Sequence, residues 1–129
     1  EVPAGWSCGY GATYTSRGPE RWGTLAVGYG DGIPRALSPA GGEALVRGRR
    51  VPIIGRISMD MTVVDLTDVP GAGTGDVATL LGRDGGEEIT VERVAAQADT
   101  ISYEVLTGLA PRLPRVRIDA PGTFTPGAA

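Results

Sequence analysis

The chain has 129 residues, 41% of them hydrophobic, and a formal net charge of −3. That length and apolar content describe one domain with enough material for a core. It contains no histidine and no lysine, and its twelve basic residues are all arginine, which excludes a histidine base, a histidine-held metal and covalent chemistry through a side-chain amine.

No basic block marks a nucleic-acid binder. No apolar run reaches membrane-spanning length, and the first residues carry no signal-peptide pattern. Cys8 is the single cysteine, so no internal disulfide forms and a reducing, cytoplasmic setting is expected. The 21 glycines and 10 prolines favour short strands and tight turns over long helices.

In chain order, residues 1–7 read as an irregular lead-in. Tyr10–Ser16 reads as a strand, 17–20 as a turn, and Trp22–Tyr29 as the next strand, giving an expected first β-hairpin. Ile33–Leu37 is expected to run extended behind Pro34. Glu43–Arg47 and Arg49–Ser58 read as a second hairpin joined at Gly48, with Met61–Asp65 continuing extended after a bend at Asp60. The run Val51–Asp65 holds the longest apolar stretch, broken by Arg56 and Asp60. Charges inside a buried strand are costly unless paired, so these two face either water or a site.

The glycines of 69–75 lack the strand–helix context of a phosphate-binding loop. Asp76–Leu81 reads as a strand and 82–86 as a turn. Ile89–Ala98 switches to helical spacing, with Thr90 as N-cap and Val91, Val94 and Ala95 on one face. A second short helix is expected over Ser102–Leu109 with Ser102 capping it, then a last strand at Val116–Ile118. Residues 119–129 read as a frayed tail. The expected fold is mainly β: a small closed β-barrel with one or two short helices.

Four segments carry a resemblance: GYGATYTS at Gly9–Ser16, AVGYGDGIPR at Ala26–Arg35, GRISMD at Gly55–Asp60 and TISYEV at Thr100–Val105. In this order they resemble the C-terminal domain of alanine racemase, over about Cys8 to Ile118. The resemblance implies a mainly β domain, residues 1–118, that works with an N-terminal (β/α) barrel this sequence does not contain. It also implies pyridoxal phosphate as cofactor, held by a lysine of that barrel, and a head-to-tail homodimer acting on alanine.

Tyr10 matches the family's catalytic tyrosine, which moves the α-proton on one face of the substrate. By residue type alone it is an amphipathic tyrosine at a core rim. A free phenol ionises near about 10, so base action near neutrality calls for a nearby cation, and the sequence does not say which arginine supplies it. Met59 matches a residue whose backbone amide holds the substrate carboxylate; by type it is core packing. Tyr29, Arg35, Arg56, Asp60 and Ile101 match substrate-channel positions, and Tyr103 matches a tyrosine that also hydrogen-bonds the cofactor phosphate. The bland alternatives are solvated arginines and a core isoleucine. Ser58 stands where some members carry cysteine.

Lacking lysine, the isolated chain is expected to fold but not to racemise alanine. The competing readings are a stand-alone β-barrel binding module and a racemase domain for another small amino acid, such as serine.

Overall fold

The computed structural model describes residues 1–118. Among these residues are nine short strands and two short α-helices. β1 (Ser7–Cys8) pairs with β2 (Tyr14–Thr15) around a 3₁₀ turn at Tyr10–Ala12. The main sheet contains β3 (Trp22–Leu25), β4 (Glu43–Val46), β5 (Arg49–Ile54), β6 (Thr62–Asp65) and β7 (Ala78–Thr79). Its order is β3–β6–β5–β4–β7, all antiparallel. β8 (Gly82–Asp84) and β9 (Glu87–Ile89) form a separate ribbon. α1 (Val91–Gln97) and α2 (Ser102–Thr107) follow.

The fold is mainly β with two short helices, as expected, but the barrel is not closed. β3 and β7 end the sheet without pairing with each other. The gap between them is lined by residues 72–78, and Arg21 closes its rim by donating to the carbonyls of Val69, Pro70 and Ala72 at 2.7–3.1 Å. A side chain thus satisfies loop carbonyls where a further strand ladder is absent.

The expected first hairpin also gives way. Gly9 and Gly11 take φ of 77° and 72°, a left-handed conformation that interrupts an extended run. β2 therefore folds back on β1, while β3 pairs with the distant β6, Trp22 opposite Asp65 and Leu25 opposite Thr62. Residues 35–37 form a 3₁₀ turn after Pro34 rather than an extended segment.

The hairpin at Gly48 is as read. Arg47 and Gly48 both have positive φ, 51° and 73°, the two-residue turn that suits strand twist. β5, however, stops at Ile54 instead of running to Ser58. Gly55 turns at φ 66° against the carbonyl of Cys8, where an added β-carbon would lie 2.8 Å from that oxygen. The chain then returns as β6, with Ile53 opposite Val64 and Ile54 opposite Val63. The longest apolar run is therefore a hairpin, and GRISMD is its loop.

Along β5, Val51 and Ile53 point inward while Arg50 and Pro52 are exposed, the two-residue alternation of a sheet with one buried face. With Ala44, Leu45, Ile57 and Val64 they form the core, which Ile89, Val94 and Val105 extend beneath the helices. Each such large aliphatic contributes about 1.5–3 kcal/mol when fully buried.

Thr90 caps α1 as expected, its Oγ1 accepting from the Arg93 N–H at 3.1 Å. The N-cap of α2 is Ile101 rather than Ser102. Residues 76–81 contribute only β7, residues 82–84 are strand rather than turn, and 116–118 form no strand. The expected tail, 119–129, lies outside the described residues. Among the described residues no helix is long and apolar enough to cross a membrane.

Candidate functional site

Three backbone segments meet on one side of the sheet: the Tyr10 turn, the Gly55–Met61 loop and the Tyr29 turn. Glycines permit the approach. A β-carbon on Gly9 would lie 2.6 Å from the Arg56 backbone nitrogen, and one on Gly28 would lie 2.2 Å from the Ser58 carbonyl oxygen. Both are closer than atoms can sit without displacement, so the two turns are seated directly on the loop.

Tyr10 is 68% exposed. The Arg56 guanidinium reaches over the neighbouring Gly11, whose β-carbon would lie 3.2 Å from Nη1. Arg56 is therefore the arginine that the fold brings beside the Tyr10 turn. It also shares a hollow of about 840 Å³ with Arg35, Thr13, Tyr14 and Ser38.

The Tyr29 N–H donates to the Ser58 carbonyl at 2.9 Å, and the Gly30 N–H donates to the Met59 carbonyl at 2.9 Å. Ser58 Oγ accepts from the Met61 N–H and donates to its carbonyl, at 3.1 and 3.0 Å. The loop is thus gripped on both sides of Met59. The Met59 N–H itself donates no hydrogen bond among the described residues, and the residue is 55% exposed.

Tyr29 and Arg35 line a second hollow of about 320 Å³ with Thr100, Glu104 and Gly108, so the start of α2 borders the same face. Ile101 and Tyr103 are 62% and 77% exposed. Tyr29 and Tyr103 do not pair; the ring contact among the described residues is between Tyr14 and Trp22, 5.9 Å between centroids. Asp60 is exposed and lines neither hollow.

Several polar groups of this face have no partner within the domain. Tyr14 donates to both Glu20 carboxylate oxygens at 3.1 Å. Burial first, then Glu20, pushes its phenol above the ordinary range. Among the described residues the hydroxyls of Tyr10, Tyr29 and Tyr103 have no such partner. The arginines divide the same way. Arg47 binds Asp76, Arg50 binds Glu43 and Glu87, and Arg93 binds Glu43. Arg35 and Arg56, like Arg17 in the 17–20 turn, form no hydrogen bond or ion pair through their guanidinium groups among the described residues.

Sequence reasoning missed two contributors. Ser38 Oγ accepts the Ile57 N–H at 2.8 Å and so fixes the loop from below. Asp31, fully buried, accepts the Gly28 N–H at 3.0 Å and holds the Tyr29 turn from behind. The signal for Asp31 was a carboxylate set among glycines in GYGDG, where a solvated loop needs none.

The chain matches the family model described as alanine racemase, C-terminal domain, over residues 1–117. The alanine racemase of Halothermothrix orenii is 44% identical over 115 residues, which cover 89% of this chain and 30% of that protein. That of Symbiobacterium thermophilum is 48% identical over 114 residues, covering 88% and 30%. A solved alanine racemase from Streptomyces coelicolor superposes with a TM-score of 0.83 at 41% identity, covering 92% of this chain and 30% of that one. The Bartonella henselae alanine racemase, crystallised with covalently bound pyridoxal phosphate, gives 0.80 at 36% identity, covering 91% and 32%. The chain thus spans about 30% of the length of the curated relatives it matches. On a match over nearly all of its described length, the chain belongs to the alanine racemase C-terminal domain family.

Proposed function

We propose that this chain serves as the C-terminal β domain of a pyridoxal phosphate-dependent alanine racemase, interconverting L- and D-alanine. The observation that carries the reading is the set of unsatisfied groups on one face. The Tyr10, Tyr29 and Tyr103 hydroxyls, the Arg35 and Arg56 guanidinium groups and the Met59 N–H have no partners among the described residues. The Tyr10, Tyr29, Arg35, Arg56 and Met59 groups gather where three turns converge, and α2, which carries Tyr103, borders the same face.

The chain suits a supporting role toward the cofactor. Without lysine it does not hold pyridoxal phosphate covalently, but the exposed Tyr103 hydroxyl is a donor suited to a phosphate oxygen. When bound, the cofactor supplies the electron sink that makes the substrate α-hydrogen acidic. The chain's own groups do the rest. Met59 N–H holds the substrate carboxylate, and the Tyr10 oxygen removes or returns the α-proton on one face. The Arg56 guanidinium lies beside the Tyr10 turn, over Gly11. Tyr29, Arg35, Asp60 and Ile101 border the approach and restrict it to a small side chain.

The opposite face needs a second base, which this chain does not supply. The reading therefore includes a lysine-bearing (β/α) barrel and a head-to-tail homodimer in the cytoplasm, with residues 1–118 as the β domain and this exposed face turned toward the partner's barrel. Exposed aromatic and arginine side chains are the types enriched at the centre of such contacts.

The test compares two proteins in a D-alanine formation assay with added pyridoxal phosphate. The chain alone is expected to be inactive, and the longer reading frame that includes a barrel is expected to be active. Turnover by the isolated chain, with host racemase excluded, would refute the division of labour. A longer protein that binds the cofactor but leaves alanine unchanged would refute the racemase assignment.

A further inference from the structure

Asp31 is the most deeply placed charge among the described residues, at 0% exposure. Burying a carboxylate costs several kcal/mol unless it is paired and hydrogen-bonded. Its Oδ2 accepts the Gly28 N–H at 3.0 Å, and its Oδ1 forms an ion pair with Arg112. Its own backbone carbonyl accepts the Ala110 N–H at 3.0 Å. The next residue, Gly32, packs so closely on the C-terminal segment that a β-carbon there would lie 2.3 Å from the Gly108 carbonyl oxygen. Asp31 thus ties the Tyr29 turn to the segment after α2.

That turn has a second set of bonds on its far side. From it, Tyr29 and Gly30 donate to the carbonyls of Ser58 and Met59, both at 2.9 Å. The path is short and continuous. Arg112 holds the Asp31 carboxylate, the carboxylate holds Gly28, and the next two residues hold the peptide group that carries the Met59 N–H, through its Ser58 carbonyl, and the peptide group that follows it. The buried charge thus acts on the direction in which that amide points, alongside the Ser38–Ile57 and Ser58–Met61 bonds that hold the loop itself.

We propose that Asp31, held by Arg112, is a positioning residue for the substrate-carboxylate site, aiming the Met59 N–H through the Gly28–Gly30 turn. The inference rests on the racemase reading and goes beyond it in assigning a residue that touches no substrate. It predicts a defect confined to one part of the ligand. Loss of the relay weakens recognition of a carboxylate and leaves recognition of an amine alone.

The test uses the full-length, cofactor-loaded protein and two probe molecules. Propionate carries the carboxylate without the amine, and ethylamine carries the amine without the carboxylate. Propionate is read as a competitive inhibitor of alanine turnover, and ethylamine by the change it produces in the cofactor's absorbance. In Asp31→Asn, propionate affinity should fall about tenfold while ethylamine affinity changes less than twofold, with KM for alanine rising more than kcat falls.

Arg112 is 62% exposed, so Arg112→Gln leaves core packing intact and keeps a hydrogen-bond donor for Asp31, at a cost in stability from the charge left unpaired that a urea midpoint reads separately. It should lower the propionate-to-ethylamine affinity ratio about threefold, and Arg112→Lys should restore most of it. If Asp31→Asn does not fold, the Arg112 pair decides. Equal losses for both probes, or an unchanged ratio in folded and cofactor-loaded variants, overturn the proposal. Wild-type protein that neither racemises alanine nor binds propionate overturns the underlying reading, and the proposal with it.

Discussion

The Gly30 N–H donates to the Met59 carbonyl at 2.9 Å, and this bond joins two segments that the sequence separates by a whole hairpin. It is one of the contacts that make a face out of scattered turns. It also means that the backbone near Tyr29 and the backbone at Met59 move together.

Gly28→Ala should therefore be among the most damaging single-methyl additions in the domain. The new carbon would meet the Ser58 and Met59 carbonyl oxygens at 2.2 and 2.5 Å, so the turn must lift from the loop. We expect a loss of about 2–3 kcal/mol, in the range for overpacking, and a sharp loss of activity in the full-length protein. Gly73→Ala, with nothing within 4 Å, should stay within about 0.5 kcal/mol. Urea midpoints of the two variants decide it; equal midpoints would show that the close approach does not matter.

Tyr10 and Tyr14 stand four residues apart and should fail in different ways. Tyr14→Phe loses the bonds to Glu20 and should cost about 1 kcal/mol of stability with normal turnover. Tyr10→Phe should leave stability unchanged and, in the full-length enzyme, suppress exchange of the α-proton on one face only. Solvent-deuterium exchange started separately from L- and D-alanine reads this. Equal, near-normal exchange from both would remove Tyr10 from the mechanism.

A second pair separates structure from function among the arginines. Arg21 donates to three loop carbonyls, so Arg21→Ala should destabilise by about 1.5–3 kcal/mol, the range for hydrogen bonds from a charged group. Arg56→Ala breaks no side-chain hydrogen bond or ion pair among the described residues and should shift stability by less than about 0.5 kcal/mol, yet lower kcat/KM. A large drop in melting temperature for Arg56→Ala would mean that its role is structural.

The Tyr14–Glu20–Trp22 cluster should narrow the pH range of stability at both ends. The Trp22 indole N–H, foremost among its donors, holds Glu20 below the usual carboxylate range. A depressed acid stabilises above its unfolded value of about 4.3, and that contribution is lost as pH falls through the lower folded value. Tyr14 is raised, first by burial. Its contribution is present below about 10 and is lost as pH rises through the folded value. Glu20→Gln should flatten the acid limb of a plot of urea midpoint against pH and weaken the alkaline one. An unchanged pair of limbs would mean that the cluster is not linked to folding.

What was legible in the sequence is what local chemistry decides. The capped helix at Thr90, with Val94 and Ala95 on its buried face, needs only neighbours three and four residues apart. The Arg47–Gly48 turn needs only two residues that reach positive φ. The family resemblance was equally readable, because it lies in short contiguous segments such as GRISMD and TISYEV. The absence of lysine by itself excluded covalent cofactor binding through a side-chain amine of this chain.

The rest depended on partners distant in the chain. β3 pairs with β6, not with the strand before it, because pairing follows which apolar faces meet in the core, and residue order does not report that. Gly55 looked like one more residue of a long strand until the Cys8 carbonyl lay against it. The same holds for the site. Tyr10 and Tyr14, or Arg56 and Arg21, are identical letters, and nothing local marks which one finds a partner. Asp31 became a buried charge only when residues 108–112 folded over it. Composition and motif determined which groups the chain possesses; tertiary packing decided which of them are satisfied, because a hydrogen bond or ion pair forms only where both ends are brought within about 3 Å.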